Sequence, residues 1–222
     1  MNTSRRSASR TSTSRTSTSR TVADLVAQLW LPVAAMAAVV VLSNVAVQYP
    51  FTPFGLADYL TWGAFTYPVS FLITDLTNRR YGPKLARRLV IVGFIIAVFA
   101  SIAAASPRIA IASGTAFLVG QLLDISVFNN LRRLAWWRAP LIGSLLGSAI
   151  DTALFFTLAF AGDITDVATY GVGGLAVTAP VWMAWAVSDF IVKVAMALVM
   201  LLPYGALLNV VLPAERFQRS AG

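Results

Sequence analysis

The chain contains no cysteine and no histidine. The first absence excludes disulfides and thiolate chemistry, and the second removes the commonest general base and metal ligand. Charge is also scarce: only 12% of the 222 residues are Asp, Glu, Lys or Arg, and only nine are acidic, against about 25% charged in a soluble domain. No G-x-x-x-x-G-K-[ST] loop is present to cradle ATP. An intramembrane protease of the Ser-His type lacks its base, and an aspartyl one would need two carboxylates sharing a proton. The surroundings of Asp75, Asp124, Asp151 and Asp189 do not resemble the Tyr-Asp and Gly-x-Gly-Asp pairs of that class. The chain therefore reads as a non-enzyme, without catalytic or metal-binding residues and without a cofactor.

What the chain has in excess is apolar surface. It is 58% hydrophobic, with a mean hydropathy of +0.74. Runs of about 20 residues, enough to cross ~30 Å of hydrocarbon as helix, lie at roughly 25–48, 57–77, 86–106, 109–130, 139–162 and 179–204. They lack the polar/apolar alternation of outer-membrane strands. The expected fold is an all-α integral membrane protein with six transmembrane helices. Arginines and Lys84 collect before the first run, between the second and third (Arg79, Arg80, Lys84, Arg87, Arg88), between the fourth and fifth (Arg132, Arg133, Arg138), and after the sixth (Arg216, Arg219). The opposite loops hold Asp58, Arg108, Asp163 and Asp166. By the positive-inside rule both termini are expected in the cytoplasm, and topology absorbs the net charge of +8 without a nucleic-acid partner. Three segments follow: a disordered basic Ser/Thr/Arg tail over 1–22, a transmembrane domain over 23–212 and a short cytoplasmic tail over 213–222. The tail repeats small polar residues and cannot bury enough surface to order itself. The apolar run behind it is too long for a signal peptide and reads as a retained first helix.

Four aspartates within or beside these runs are the strongest functional signal. A carboxylate at the bilayer centre costs on the order of 2.5–3.5 kcal/mol on insertion scales, so it usually faces a partner, a polar cavity or a proton path. Asp75 has Arg79 four residues on, and Asp189 has Lys193 at the same spacing, so a local ion pair is expected in each case. Asp124 and Asp151 have no local cation and are the first choices for a ligand. Gln121, Asp124 and Phe128 share one helix face, as do Trp182, Trp185, Asp189 and Lys193, while Asn44 and Gln48 are one turn apart in the first helix. Each stripe reads equally as a clamp between helices. Gly143 and Gly147, flanked by Ser144 and Ser148, predict close helix packing. Asp75-x-x-Asn78-Arg79-Arg80 has an approximate echo in Asp124 followed by Asn130, Arg132 and Arg133, as a parallel internal repeat would. Pro203 is expected to break or end the last helix after Met200.

Residues 61–88, from Thr61-Trp62-Gly63 through Thr74-Asp75-Leu76, Tyr81-Gly82 and Ala86-Arg87-Arg88, closely resemble the signature of the queuosine precursor transporter family, also called the VUT family. Ser43-Asn44, Gly120-Gln121 with Asp124, Val127-Phe128-Asn129, Trp136-Trp137, Asp151-Thr152, Asp189 with Lys193, and Pro203 with Gly205 extend the resemblance across all six runs. It implies uptake through the cell inner membrane of 7-cyano-7-deazaguanine, with the 7-aminomethyl form as a second substrate, for salvage into modified tRNA. On that reading Asn44, Gln48, Trp62, Gln121, Asp124, Asp151, Trp182 and Trp185 are substrate-binding candidates. Asp75, Arg79, Asp189 and Lys193 are candidates for gating or coupling. The partners expected are the small deazapurine, the lipid bilayer and a second copy of the chain. The alternatives are a substrate-capture subunit that needs a separate ATPase, and a non-transporting bundle whose acids only pin helices together.

Overall fold

The computed structural model describes residues 29–104, 106–172 and 175–211. The expected tails at 1–22 and 213–222 lie outside the described residues, as do the arginines before the first run and after the last.

Among the described residues, five helices are long and apolar enough to cross a membrane: α1 (Leu29–Ala46), α4 (Pro83–Ala104), α5 (Pro107–Leu131), α6 (Arg138–Phe160) and α7 (Val181–Val211). Between α1 and α4 lie two shorter helices, α2 (Gly63–Thr66) and α3 (Val69–Tyr81). A hairpin of β1 (Val167–Val172) and β2 (Leu175–Pro180) connects α6 to α7. Large apolar side chains point outward from every long helix, for example Leu42, Phe99, Ile111, Leu146 and Leu202. Helices of this length with such faces are solvated by lipid. The chain is a multi-pass membrane protein.

Three sequence expectations change here. The run at 57–77 is not one continuous helix, because a 3₁₀ turn (Pro53–Gly55) and a loop precede α2, and α2 and α3 meet at Pro68. Proline has no N–H to give and crowds the preceding turn. The path stays helical there through i to i−3 bonds, from Ser70 N to Tyr67 O at 2.9 Å and from Phe71 N to Pro68 O at 3.1 Å. Pro203, by contrast, does not end α7, which continues to Val211. A lipid-embedded helix tolerates the one lost backbone bond because its neighbours re-satisfy the freed groups. The hairpin, which pairs Val167 with Pro180 and Thr169 with Thr178, occupies what reads from the sequence as a plain loop.

Local chemistry sets the other boundaries. Gly82, at φ 86°, separates α3 from α4 in a conformation that L side chains rarely adopt. Ser106 caps α5, its Oγ accepting from Ile109 N at 3.4 Å, with Pro107 in the first helical position.

Packing brings α5 and α6 into close contact, as the small-residue pattern predicts. A Cβ on Gly147 would lie 2.8 Å from the Phe71 ring and 2.9 Å from Gly120 O, and one on Gly120 would lie 3.0 Å from Asp151 Cβ. Gly147→Val is therefore expected to separate the helices and destabilise the fold by about 1–3 kcal/mol, the usual cost of overpacking. A thermal melt in detergent checks this, and an unchanged melting temperature would refute the close crossing. On the opposite flank Met36 and Val40 of α1, Leu89 and Val90 of α4, and Phe117 and Ile125 of α5 form the largest apolar core.

Candidate functional site

Two polar clusters lie inside this apolar frame, at different depths. The first is centred on Lys193 of α7. Its ammonium donates to Asp151 Oδ2 of α6 at 2.7 Å, to Asp189 Oδ2 one turn back at 2.6 Å, and to Thr152 Oγ1 at 3.1 Å. Thr152 in turn donates to Asp189 Oδ2 at 2.9 Å, and the Tyr67 hydroxyl, at the α2–α3 kink, donates to Asp151 Oδ1 at 2.8 Å. Lys193 also stands 5.2 Å from the centre of the Tyr67 ring, a cation–π contact. The expected Asp189–Lys193 pair is present, and Asp151 finds its cation on a neighbouring helix.

Charge in this cluster does not cancel: two carboxylates share one ammonium. Both oxygens of Asp151 are engaged and the residue is 4% exposed. At Asp189 only Oδ2 is taken, and Oδ1 has no donor among the described residues.

Asp151, Asp189 and Lys193 form the polar floor of a cavity of ≈ 520 Å³. Its walls are aromatic, with Tyr67, Phe117, Phe155, Phe156, Phe160 and Trp185, and Trp185 meets Phe160 edge-on at 5.5 Å. A second polar patch lies on the α1–α4–α5 side, where Ser101 Oγ donates to Asn44 Oδ1 at 2.7 Å and stands 3.1 Å from Ser113 Oγ. Gln48, Asp58 and Tyr59, all exposed, belong to the rim. A largely apolar concavity with a few fixed polar groups is the usual form of a small-molecule site.

The second cluster is buried toward the arginine-rich end. Asp75 of α3 and Asp124 of α5 are 1% and 0% exposed, and both abut one turn of α6, Asp75 at Ser144 and Asp124 at Gly143. Ser144 of α6 donates to Asp75 Oδ2 at a long 3.5 Å. Asp75 Oδ1 and both oxygens of Asp124 have no donor among the described residues. Gln121 donates to Ser70 Oγ at 2.8 Å and Asn78 to Ile125 O at 3.3 Å, tying α3 to α5.

The expected Asp75–Arg79 ion pair is not what forms. Arg79 turns away, donating to Arg132 O at 2.8 Å and to the Tyr204 hydroxyl at 3.1 Å, while Arg132 donates back to Arg79 O at 3.4 Å. With Arg80 bonded to Val211 O at 2.8 Å, these contacts close the bundle at that end. The internal echo seen in the sequence thus places Asp75 against Asp124 and Arg79 against Arg132.

Of the residues singled out from sequence, Asn44, Gln48, Asp151, Trp185, Asp189 and Lys193 line the cavity, whereas Trp62, Gln121, Asp124 and Trp182 do not. Trp62 packs edge-on against Phe51 at 4.8 Å. Gln121 and Asp124 are on the helix face turned to α3, so the stripe they form joins helices there. Two members of the floor, Tyr67 and Thr152, escaped sequence reasoning as site residues. Their signals are adjacency, Tyr67 to a mid-run proline and Thr152 to Asp151, and a place within the stretches that resemble the family.

The apolar bundle holding a wide cavity over a charged floor is a multi-pass membrane protein with a small-molecule-sized site. Residues 61–106 and 97–207 match the family described as "Putative vitamin uptake transporter". The chain is 37% identical over 196 residues to the "Queuosine precursor transporter" of Escherichia coli strain K12, covering 78% of this chain and 83% of that one. It is 34% identical over 206 residues to the "Probable queuosine precursor transporter" of Haemophilus influenzae, with the same coverage of 78% and 83%, and 28% identical over 204 residues to the protein so named in Bacillus subtilis, with coverage of 79% and 82%. No solved structure matches. The chain belongs to the queuosine precursor transporter (VUT) family.

Proposed function

We propose that this protein imports a queuosine precursor, foremost 7-cyano-7-deazaguanine, through the cell inner membrane, with its arginine-rich end in the cytoplasm. The observation that carries this reading is the cavity of ≈ 520 Å³ with Asp189 at its floor. A deazaguanine presents a ring N–H and an amino group side by side, and a carboxylate with a free oxygen accepts from such an edge. Bonds of this kind are about twice as strong as neutral ones. Asp189 suits the role better than Asp151, whose oxygens are already engaged, and better than Asp124, which is outside the cavity. Trp185 and the phenylalanines offer faces for the planar ring, and the Asn44–Ser101–Ser113 patch offers bonds to its other polar edge. Asp151, Lys193, Thr152 and Tyr67 hold the floor in shape.

On this reading the cavity opens outward, and the Arg79–Arg132–Tyr204 contacts are the closed inner gate. The excess negative charge of the floor also suits the 7-aminomethyl form, whose amine is cationic, as a second substrate. The test is a cell unable to make the precursor and lacking its own transporter, supplied with a low external concentration of 7-cyano-7-deazaguanine. Expression of this protein is expected to restore queuosine to tRNA. Failure to do so at normal membrane abundance would refute the reading.

A further inference from the structure

The Asp75–Asp124 cluster has no part in binding as described, and its geometry is unusual enough to require an account. Two carboxyl groups meet at one turn of α6 with almost no solvent access. Three of their four oxygens have no donor among the described residues. No described cation is free to neutralise them. Arg79, one turn along α3, is committed to Arg132 O and Tyr204. Arg132, at the end of α5, donates to Arg79 O. Lys193 on α7 is committed to Asp151, Asp189 and Thr152. The remaining polar groups against the pair are Ser144 and Ser148 on α6, Thr74 and Asn78 on α3, Gln121 on α5 and Tyr204 on α7. Two bare carboxylates in contact cannot both be ionised in such a setting; one proton between them turns repulsion into a hydrogen bond.

A second observation joins this pair to the cavity floor. A void of ≈ 10 Å³ is lined by Asp75, Ser144, Ser148, Lys193 and Tyr204. That is near the lower limit of space for one water. Its other walls are apolar, among them Phe71, Leu72, Met200 and Leu201, so Asp75 and Lys193, whose ammonium belongs to the floor of the large cavity, are the charged groups that border it. The pair also sits where the helices touch: a Cβ on Gly143 of α6 would collide with Asp124 Oδ1.

We infer that Asp75 and Asp124 share one exchangeable proton that holds α3 against α5, and that its release on the arginine-rich side couples substrate import to proton entry. The step forms and breaks only O–H bonds. A proton passes from the outer cavity by way of the Lys193 network and the chamber to the pair, is held as a carboxyl-to-carboxylate hydrogen bond, and leaves past Arg79 and Tyr204. Loss of the proton leaves two facing carboxylates, whose repulsion drives α3 and α5 apart and opens the inner gate. This inference rests on the transport reading above.

The test uses purified protein in ATP-free liposomes, radiolabelled 7-cyano-7-deazaguanine and a pH dye inside. With the outside one pH unit more acidic, the wild type is expected to accumulate substrate up to about tenfold, the limit for one proton per substrate, with internal acidification in step. Asp124→Asn, and separately Asp75→Asn, are expected to lose both accumulation and acidification. They should keep precursor binding, read as ligand-dependent thermal stabilisation in detergent, because neither residue lines the large cavity. Retained binding also shows that the variants fold. Accumulation by the wild type that ignores the pH gradient, or full gradient-driven accumulation by both variants, would overturn the inference. If a variant does not fold, the acidification measured with the wild type and the other variant still decides. A wild type with no uptake, with or without the gradient, would instead overturn the transport reading.

Discussion

Lys193→Met is expected to reduce precursor uptake to background and to destabilise the protein by about 3–5 kcal/mol, the usual cost of stripping one partner from a buried ion pair. The ammonium is the common partner of Asp151 and Asp189, at 2.7 and 2.6 Å, and also bonds Thr152. Without it two carboxylates face one another across α6 and α7, and among the described side chains the Tyr67 and Thr152 hydroxyls are what remains bonded to them. A double variant separates structural from functional loss. Asp151→Asn with Lys193→Met leaves one charge in place of two and should regain much of the melting temperature. It should not regain uptake, because the floor no longer holds Asp189 in place. Melting curves in detergent together with liposome uptake measure both halves. A single Lys193→Met variant with native stability would show that the ammonium does not neutralise the pair.

Asp189→Asn is expected to weaken precursor binding by about tenfold to a hundredfold, corresponding to loss of one charge-assisted hydrogen bond at about 1.5–3 kcal/mol. The substituted amide can still accept from Thr152 and Lys193 with its oxygen, so the fold should survive. It presents an NH₂ group where the substrate brings donors of its own, so a favourable contact becomes a donor-donor clash. Titration calorimetry on the purified variant checks the affinity, and an unaltered melting temperature confirms that the change is local. Native affinity in this variant would remove Asp189 from the site.

Most of the bundle is legible in the amino-acid order, because α1, α4, α5, α6 and α7 each coincide with a long apolar run. The second run misleads for a physical reason. Its hydrophobicity is compatible with one helix, yet Pro68 forces a kink, and a buried polar face of Ser70, Thr74, Asp75, Thr77 and Asn78 turns α3 toward α5 rather than toward lipid. The hairpin has only a slight sequence signal, the β-branched Val167, Thr169, Val172, Val177 and Thr178 on either side of Gly173-Gly174, short beside the transmembrane runs.

The site is legible in its ingredients and not in its geometry. Helical spacing alone places Lys193 beside Asp189. Which of Asp124, Asp151 and Asp189 faces the cavity depends on how each helix is rotated about its axis, and the Gly120–Gly147 crossing decides that. That crossing, with the facing Asp75, turns Asp124 inward against α3 and away from the cavity. Asp189 thus lines the cavity with an oxygen to spare, whereas Asp124 lies outside it, and the proposed ligand role moves from Asp124 and Asp151 to Asp189.

The most direct measurement of the central claim is uptake of radiolabelled 7-cyano-7-deazaguanine by ATP-free liposomes containing the purified protein, wild type beside Asp189→Asn. The account predicts saturable uptake by the wild type, competed by excess unlabelled precursor, and an apparent affinity at least about tenfold weaker in the variant. Wild-type uptake no greater than that of protein-free liposomes, or identical affinities in the two proteins, would contradict it.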